Sequence, residues 1–153
     1  MRPALKAIER IVPAEPAGRG AALVGTLTLP FEDRRKRRLR AHLDDGREIA
    51  IAIPHGPALR DGDRLRTSDG SIVEIRSAGE DVSTARSSDP LRLARAAYHL
   101  GNRHVALEIA PGLLRYAHDH VLDDMVRKLG LEVASEHCAF EPEGGAYAEG
   151  HSH

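Results

Sequence analysis

The sequence predicts an α+β protein in which a small all-β N-terminal domain is followed by a C-terminal domain of alternating strands and helices. In the first half, apolar residues recur at every second position between short turn sequences, which is the pattern of half-buried strands. In the second half, two stretches carry apolar residues at helical spacing, and each follows an aspartate suited to cap a helix. A chain of 153 residues is long enough for two small domains of this kind.

The N-terminal half is expected to contain one strand and two hairpins. Apolar residues alternate with small or polar ones over residues 23–29, and Pro30 ends this run. The turn Asp44-Asp45-Gly46 joins two alternating stretches, and Asp69-Gly70-Ser71 joins two more. The apolar positions are Leu39, Ala41, Leu43, Ile49, Ile51 and Ile53 in the first hairpin and Leu65, Ile72, Val73 and Ile75 in the second. No helical period competes with this assignment.

The predicted order in the C-terminal half is βαββαβ, the pattern of a ferredoxin-like domain. Asp89 is a suitable N-cap with Pro90 at the first helical position, and Gly101 is expected to end this helix. Asp119 is expected to cap the second helix, which ends at Gly130. The strands are predicted at residues 80–86, 104–109, 113–117 and 131–137. The apolar residues of the helices are Leu91, Leu93, Ala94, Ala97, Tyr98 and Leu100 in the first and Val121, Leu122, Met125, Val126 and Leu129 in the second.

Composition indicates a soluble globular protein, with 41% hydrophobic and 29% charged residues. The N-terminal residues carry charges every few positions and lack the apolar core of a signal peptide, and no stretch is suited to span a membrane. The single cysteine, Cys138, has no partner for an internal disulfide, so we expect a cytoplasmic location. We interpret Cys138 as a small buried residue beside Phe140.

A cluster of histidines marks the candidate functional region. Four of the nine histidines (His99, His104, His118 and His120) fall within 22 residues. Neutral imidazole is a common protein ligand for nickel, copper and zinc. Residues 80–153 also hold 12 Asp and Glu against 7 Lys and Arg, a balance that suits a cation better than a nucleic acid.

The four histidines differ in what their positions predict. His104 follows a loop and is expected to open a strand with its imidazole exposed. His118 and His120 flank the N-cap Asp119, so this His-x-His pair is either a chelate or two polar residues at a corner. We interpret His99 as structural, because a histidine near a helix C-terminus interacts favourably with the helix dipole.

The C-terminal tail, residues 144–153, is glycine-rich and contains a second His-x-His pair, His151 and His153. It is either an unspecialised flexible end or a tether that holds these imidazoles near His104, where they complete its coordination.

The basic run at residues 34–40 (RRKRRLR) has two interpretations. Clustered cations bind an anionic partner, either a nucleic acid or an acidic protein, or they form the solvated face of a strand that enters a hairpin. No aromatic residue is interleaved for base stacking, which argues against RNA. His42 and His55 are expected to be surface residues without a ligand role.

Long motifs in this sequence resemble the UreE family of urease accessory proteins, which are nickel chaperones. They are GEDV, YHLGNRH, LRYAHDHVLDDM, GLEV and FEPEGGAY in the C-terminal half, and the RRKRRLR, LDDG and LRDGD segments in the N-terminal half. The resemblance covers nearly the whole chain. The family usually carries arginine where this chain has His55, which supports a surface role for that residue.

The resemblance implies a homodimer in which His104 from each copy binds the same Ni(II) ion. A lone imidazole leaves most coordination positions to water, and a two-fold interface near His104 would supply the second imidazole. The apolar residues Leu100, Val105 and Leu113 are expected to help form that interface. By the same resemblance, the recipients of nickel are the GTPase UreG and the apo-urease complex, and the N-terminal domain docks partners.

The resulting prediction has three segments: an all-β domain that binds a peptide or partner at residues 1–78, a ferredoxin-like metal-binding domain at 79–143 and a flexible histidine-containing tail at 144–153. We expect a nickel metallochaperone that is not an enzyme, since the sequence offers no phosphate-cradling glycine loop and no Ser/His/Asp grouping. The alternatives are a copper or zinc buffer and a protein-interaction adaptor with incidental histidines. The sequence leaves open which metal is carried, how many ions bind, and whether His99, His118, His120 and the tail are ligands.

Overall fold

The structure, a computed structural model, describes residues 5–11 and 22–145. Its contacts divide the chain into two compact units, the first ending at Ala78 and the second spanning Gly79–Gly145. The first unit is built on a β-sheet and the second combines helices and strands, which confirms the predicted α+β class. In the part of the chain that is described, no helix has the length and apolarity needed to cross a bilayer.

The first unit contains a six-stranded sheet in the order β2-β6-β5-β1-β4-β3. Its elements are β1 (Leu5–Ile11), β2 (Leu23–Leu29), α1 (Phe31–Arg34), β3 (Arg38–His42), β4 (Glu48–Ala52), β5 (Arg64–Thr67) and β6 (Ile72–Ser77). Both predicted hairpins are confirmed, because β3 pairs antiparallel with β4 and β5 with β6. Strand β1 and the four-residue helix α1 were not predicted. In β1 a register shift between Ala7 and Glu9 interrupts the alternation that would have revealed a strand.

The core of this unit consists of the residues that alternate inward along the strands. Its main members are Ala7, Leu27, Leu43, Ile49, Ile51, Leu65, Val73 and Ile75. One charged residue joins them: Arg34, the first of the basic run, is 0% exposed. Its Nε donates to the Leu29 carbonyl and its Nη1 to the Leu59 carbonyl, each at 3.0 Å. Arg34 therefore ties the end of β2 to the loop at Leu59 and belongs neither to a solvated face nor to an anion-binding patch.

The second unit has the predicted βαββαβ order and a four-stranded antiparallel sheet, β10-β7-β9-β8, which confirms the ferredoxin-like fold. Its elements are β7 (Gly79–Arg86), α2 (Pro90–Asn102), β8 (Glu108–Ala110), β9 (Leu113–Ala117), α3 (His120–Lys128) and β10 (Glu132–Ala139). Both predicted caps are confirmed. The Asp89 carboxylate accepts from the Leu91 N–H at 2.9 Å, and Asp119 accepts from Val121 and Leu122 at 2.9 and 3.2 Å.

Two predicted boundaries in this unit are wrong. Helix α2 continues through Gly101 to Asn102, and the strand expected from His104 begins only at Glu108. The reason is that residues 103–105 form the C-terminal cap of α2 and are not free to extend. The sequence HVALEI alternates like a strand, but tertiary structure decides its conformation.

Several apolar residues lie elsewhere than predicted. Leu91, Tyr98 and Val121 are exposed, because each helix packs only one face on the sheet. Leu100 is fully buried in the core of its own chain, so the suggestion that it contributes to an interface between copies is wrong. Cys138 is half-buried on β10 instead of fully buried.

Residues 140–143 form a strap, as we call this segment, that follows β10 and crosses to the opposite edge of the sheet. The Glu141 N–H donates to Glu108 Oε1 at 2.6 Å, and the Glu143 N–H donates to the Leu107 carbonyl at 2.8 Å. Because β10 and β8 are the two edge strands, these bonds fasten the strap at the far edge. The strap is therefore fastened to Leu107, which lies three positions after His104 in the sequence.

Candidate metal centre

His104 occupies an unusual backbone position at the end of helix α2. Its φ is 57°, the left-handed conformation that favours glycine, and it is the one non-glycine residue with positive φ among the described residues. Its N–H donates to the Gly101 carbonyl at 3.0 Å, and the next N–H, that of Val105, donates to the Leu100 carbonyl at 3.3 Å. These two bonds define a Schellman motif, in which glycine is the usual residue at the position of His104.

This cap fixes where the His104 imidazole is presented. Leu100 is buried in the core and Val105 packs against the same core, so the backbone on both sides of His104 is anchored. His104 itself is exposed, as predicted. A left-handed conformation costs a residue with a side chain about 1–2 kcal/mol relative to the right-handed one. The exposed imidazole of His104 is thus carried by a strained backbone that is anchored on both sides.

His118 has its ring oriented by neighbouring side chains. Its Nδ1 lies 3.1 Å from Ser83 Oγ, 3.4 Å from Ser135 Oγ and 3.5 Å from Asp123 Oδ2. The ring is partly exposed, so Nε2 is the nitrogen left to meet a ligand from solvent. Metal-binding histidines usually have the other ring nitrogen held by a carboxylate or another polar group. The surroundings of His118 match that arrangement.

Asp123 is the buried member of this group. It is 4% exposed, and the Tyr116 hydroxyl donates to its Oδ1 at 2.6 Å. Burial, followed by the hydrogen bond to Asp123, raises the pKa of Tyr116 well above its usual value. The phenol therefore stays protonated near neutral pH and continues to donate to Asp123, which leaves the second carboxylate oxygen toward His118.

His99 and His120 line a separate open groove of about 610 Å³ between helices α2 and α3. The other lining residues are Arg103, Val121, Asp124, Met125, Lys128 and Leu129. The ring of His99 also meets that of Tyr98 edge-on, with 5.4 Å between the centroids. His118 is not part of this lining, so the two members of the first His-x-His pair have different surroundings.

The described residues of one chain do not assemble a complete metal site. Over residues 5–11 and 22–145, no group of three or more His, Cys, Asp or Glu side chains is positioned to hold an ion. The predicted ligands His151 and His153 lie outside the described residues. The described residues around His104 therefore do not form a complete metal site by themselves.

Two functional features were missed by sequence reasoning. Asp123 was not considered, although its spacing of three from Val126 on a capped helix places both residues on the same buried face. His137 was not considered either. Its Nδ1 lies 2.9 Å from Asp81 Oδ1 in an exposed pair at the edge of the sheet. The sequence contains no signal that places Asp81 next to His137, because their proximity depends on the pairing of β7 with β10.

Comparison with known proteins identifies the family. The model for the N-terminal domain of the UreE urease accessory protein matches residues 8–78, and the model for its C-terminal domain matches residues 80–153. A urease accessory protein UreE of Alkalilimnicola ehrlichii is 58% identical over 139 residues, which cover 91% of this chain and 82% of the relative. That of Citrobacter koseri is 57% identical over 135 residues, covering 87% of this chain and 89% of the relative. Both domains and nearly the whole length agree, and the chain belongs to the UreE family of urease accessory proteins.

Proposed function

We propose that this protein carries Ni(II) as cargo and holds it between the His104 imidazoles of two copies of the chain. The observation that carries the proposal is the histidine at a backbone position that favours glycine. Residues held in costly conformations concentrate at functional sites, because selection for stability alone would replace them. A glycine would satisfy the cap of α2, so the imidazole is retained for another purpose.

Membership of the UreE family assigns the protein a role in urease maturation as an accessory chaperone, not as an enzyme. Nickel is the cargo we infer from this role. The recipients we propose are the GTPase UreG and the apo-urease complex, with the first unit, residues 1–78, as a docking module. A cytoplasmic location fits the single cysteine, which has no partner within its chain.

A two-fold arrangement around His104 explains how one exposed imidazole becomes a site. Late transition metals need about four or more ligands, and one histidine provides a single one. In a symmetric homodimer, a residue close to the axis meets its own copy, so one histidine per chain gives two ligands. The rigid cap supports this geometry, because both imidazoles would project from anchored backbone.

The strap supports participation of the tail. Glu143 is fastened to Leu107, and His151 lies eight residues further along the chain. An extended chain spans at most about 3.3–3.6 Å per residue, so His151 can reach about 27 Å from Glu143. His104 is only three residues from Leu107, well within this reach. Tethered imidazoles at such a distance have a high effective concentration, and we propose that His151 and His153 complete the coordination.

His118 is proposed as a secondary ligand, supported by the carboxylate and hydroxyls that orient its Nδ1. His120 is proposed to act apart from it, in the groove that it shares with His99. Copper or zinc buffering is the second candidate function, because the same imidazoles bind copper with higher intrinsic affinity. Coordination by surface imidazoles is labile and weakens as protons compete, which suits delivery better than storage.

The test is a nickel titration of the apo protein, with copper and zinc titrated in parallel. His104→Ala is expected to reduce nickel affinity by more than about 100-fold, since loss even of an outer partner of a ligand costs about 10–100-fold. The matched control is His55→Ala, which removes an exposed histidine of the first unit that lies outside its strands. Urease activation in cells that lack the native protein should fail with the first variant and succeed with the second. Unchanged nickel affinity in His104→Ala, or a monomeric nickel-loaded protein, would refute the proposal.

A further inference from the structure

Strand β3 is an edge strand whose outward backbone groups coincide with its cationic residues. It is the last strand of its sheet and pairs only with β4. The Ile53 N–H donates to the Arg37 carbonyl at 3.0 Å, and the Leu43 N–H donates to the Arg47 carbonyl at 2.8 Å. In this antiparallel register the odd-numbered residues of β3 bond to β4, so the N–H and C=O groups of Arg38, Arg40 and His42 point away from it.

The side chains of these three residues lie on one exposed face of the sheet. The register places Arg38 opposite Ala52 and Arg40 opposite Ala50, and Lys6 of β1 is paired with Ala50 from the other side. Lys6 is also exposed. The face therefore has a floor of two alanines, which leaves room above it, and three cations around that floor.

Lys6, Arg38 and Arg40 differ from most other cations of the first unit, because no carboxylate among the described residues pairs with them. Neighbouring cations of the same basic run are neutralised locally, Arg35 by Glu32 at 3.3 Å and Lys36 by Asp33 at 3.1 Å. On the adjoining strands, Arg64, Arg66 and Arg76 each have a glutamate within 4.0 Å. Lys6, Arg38 and Arg40 are thus exposed cations without a carboxylate partner among the described residues, and the half-buried Arg37, whose Nη1 donates to the Arg35 carbonyl, adjoins them.

We propose that the edge of β3 accepts an extended acidic segment of a partner protein as an added strand. The backbone groups of Arg38, Arg40 and His42 would bond to the incoming segment, as in other cases of strand addition. Side chains directly opposite each other on paired strands lie on the same face, about 4.5–5.5 Å apart at Cβ. Acidic residues at alternate positions of the segment would therefore meet Arg38 and Arg40.

A protein segment fits this surface better than RNA does. Unpaired bases usually bind to proteins by stacking on aromatic rings, and β3 and β4 carry no Phe, Tyr or Trp. The surface offers instead the outward backbone groups of the edge strand β3. It also offers the guanidinium groups of Arg38 and Arg40, which are two positions apart and so lie on the same face of that strand. The proposal concerns the first unit alone and does not depend on the metal proposed at His104.

The experiment uses the full-length protein and a fluorescein-labelled decapeptide of alternating threonine and glutamate. The control peptide has the same composition, with all its glutamates contiguous. We expect Arg38→Glu/Arg40→Glu to weaken binding of the alternating peptide by about tenfold or more, because it places like charges opposite each other. The matched control, Arg35→Glu/Lys36→Glu, makes the same change in net charge within the same run and should weaken it far less. Arg38→Ala/Arg40→Ala serves in its place if the charge reversal impairs folding.

Hydrogen exchange supplies a readout that general electrostatic attraction would not change. Binding of the alternating peptide should slow exchange at the amides of Arg38, Arg40 and His42, and the contiguous peptide should not. Equal binding of the two peptides, equal loss in the two charge-reversed variants, or absence of new amide protection would each overturn the proposal. Displacement of the peptide by a single-stranded RNA oligonucleotide at lower concentration would assign the surface to nucleic acid instead.

Discussion

Helices α2 and α3 end with the same hydrogen-bond pattern but with different residues at its central position. In α3, the Gly130 N–H donates to the Arg127 carbonyl at 2.9 Å and the Leu131 N–H to the Val126 carbonyl at 3.4 Å. In α2, His104 and Val105 make the equivalent bonds. The φ angles are 95° for Gly130 and 57° for His104, both left-handed. One helix thus ends in the residue that backbone energetics favours, and the other does not.

The difference separates what the fold needs from what the function needs. Both caps satisfy terminal carbonyls and bring an apolar residue, Val105 or Leu131, onto the core of the unit. Nothing in that task requires a side chain at the central position. The histidine at this position of α2 goes against the usual preference for glycine, and the cap would form without its side chain. Residues that go against such local preferences are expected at functional sites.

Exchanging the central residue of the α2 cap should have the largest effect. His104→Gly is expected to reduce nickel affinity by more than about 100-fold, as for His104→Ala. It should also raise the free energy of unfolding by up to about 1 kcal/mol, because relief of the left-handed strain exceeds the extra backbone entropy that glycine loses. Nickel titration and urea unfolding of the apo protein at fixed concentration measure the two quantities. A loss of stability in this variant would contradict the role assigned to the backbone conformation.

The N-caps of α2 and α3 provide the next comparison. The Asp119 carboxylate accepts two backbone N–H groups and that of Asp89 accepts one. Replacement of an N-cap by alanine costs about 0.5–2 kcal/mol, and we expect Asp119→Ala to lie near the upper end of this range and Asp89→Ala near the lower end. Urea unfolding of the two variants beside the parent protein tests this. Equal losses would mean that the second N–H bond of Asp119 contributes little.

Gly130→Ala should reproduce at α3 the strain that α2 already contains. A Cβ at this position has an unfavourable φ and would lie 3.2 Å from Arg92 Nε, so that side chain must move. The strain of about 1–2 kcal/mol is partly offset by the lower entropy of alanine in the unfolded chain, for a net loss of about 1 kcal/mol. Nickel affinity should stay unchanged. Stability equal to that of the parent would show that this cap is flexible enough to accept any residue.

The two caps also show how far the sequence predicts the structure. Gly130 predicts the end of α3 directly, and the structure confirms that the helix ends just before it. The end of α2 was misplaced because the glycine nearest to it, Gly101, lies inside the helix, while His104 gives no sign of a left-handed conformation. Alternation over residues 104–109 then suggested a strand. Local patterns reveal a boundary only where the residue follows the usual preference.

The candidate site was predictable in part for the same reason. Residue type and spacing indicated the histidine cluster, including His118 and His120, whereas the role of His104 as a shared ligand is implied by the resemblance to the UreE family. The partners of His118 come from three other elements, since Ser83, Asp123 and Ser135 lie on β7, α3 and β10. Their approach depends on strand pairing and packing, which no local pattern encodes. Arg34 is a similar case, because its burial distinguishes it from the five other cations of the run at residues 34–40.

The C-terminal ends of α2 and α3 differ in a final respect. The strap, residues 140–143, is fastened to Leu107 and Glu108, which lie just after the cap of α2. Glu108 holds the strap through the Glu141 N–H and pairs with Arg115 at 2.6 Å. Glu108→Ala removes one of the two bonds that fasten the strap and leaves the bond from the Glu143 N–H to the Leu107 carbonyl. We expect it to lower nickel affinity by no more than about threefold, because a partly loosened tether dilutes the tail imidazoles only moderately. Nickel titration measures this effect.

The control for Glu108→Ala is the same substitution in a chain that ends at Gly145, without His151 and His153. If the strap acts by positioning the tail, the substitution should leave nickel affinity unchanged in the shortened chain, and the two changes should be non-additive. An equal loss in both backgrounds would mean that Glu108 acts on the His104 region through its pair with Arg115. In that case the imidazole on the α2 cap is supported by the sheet edge and not by the tail.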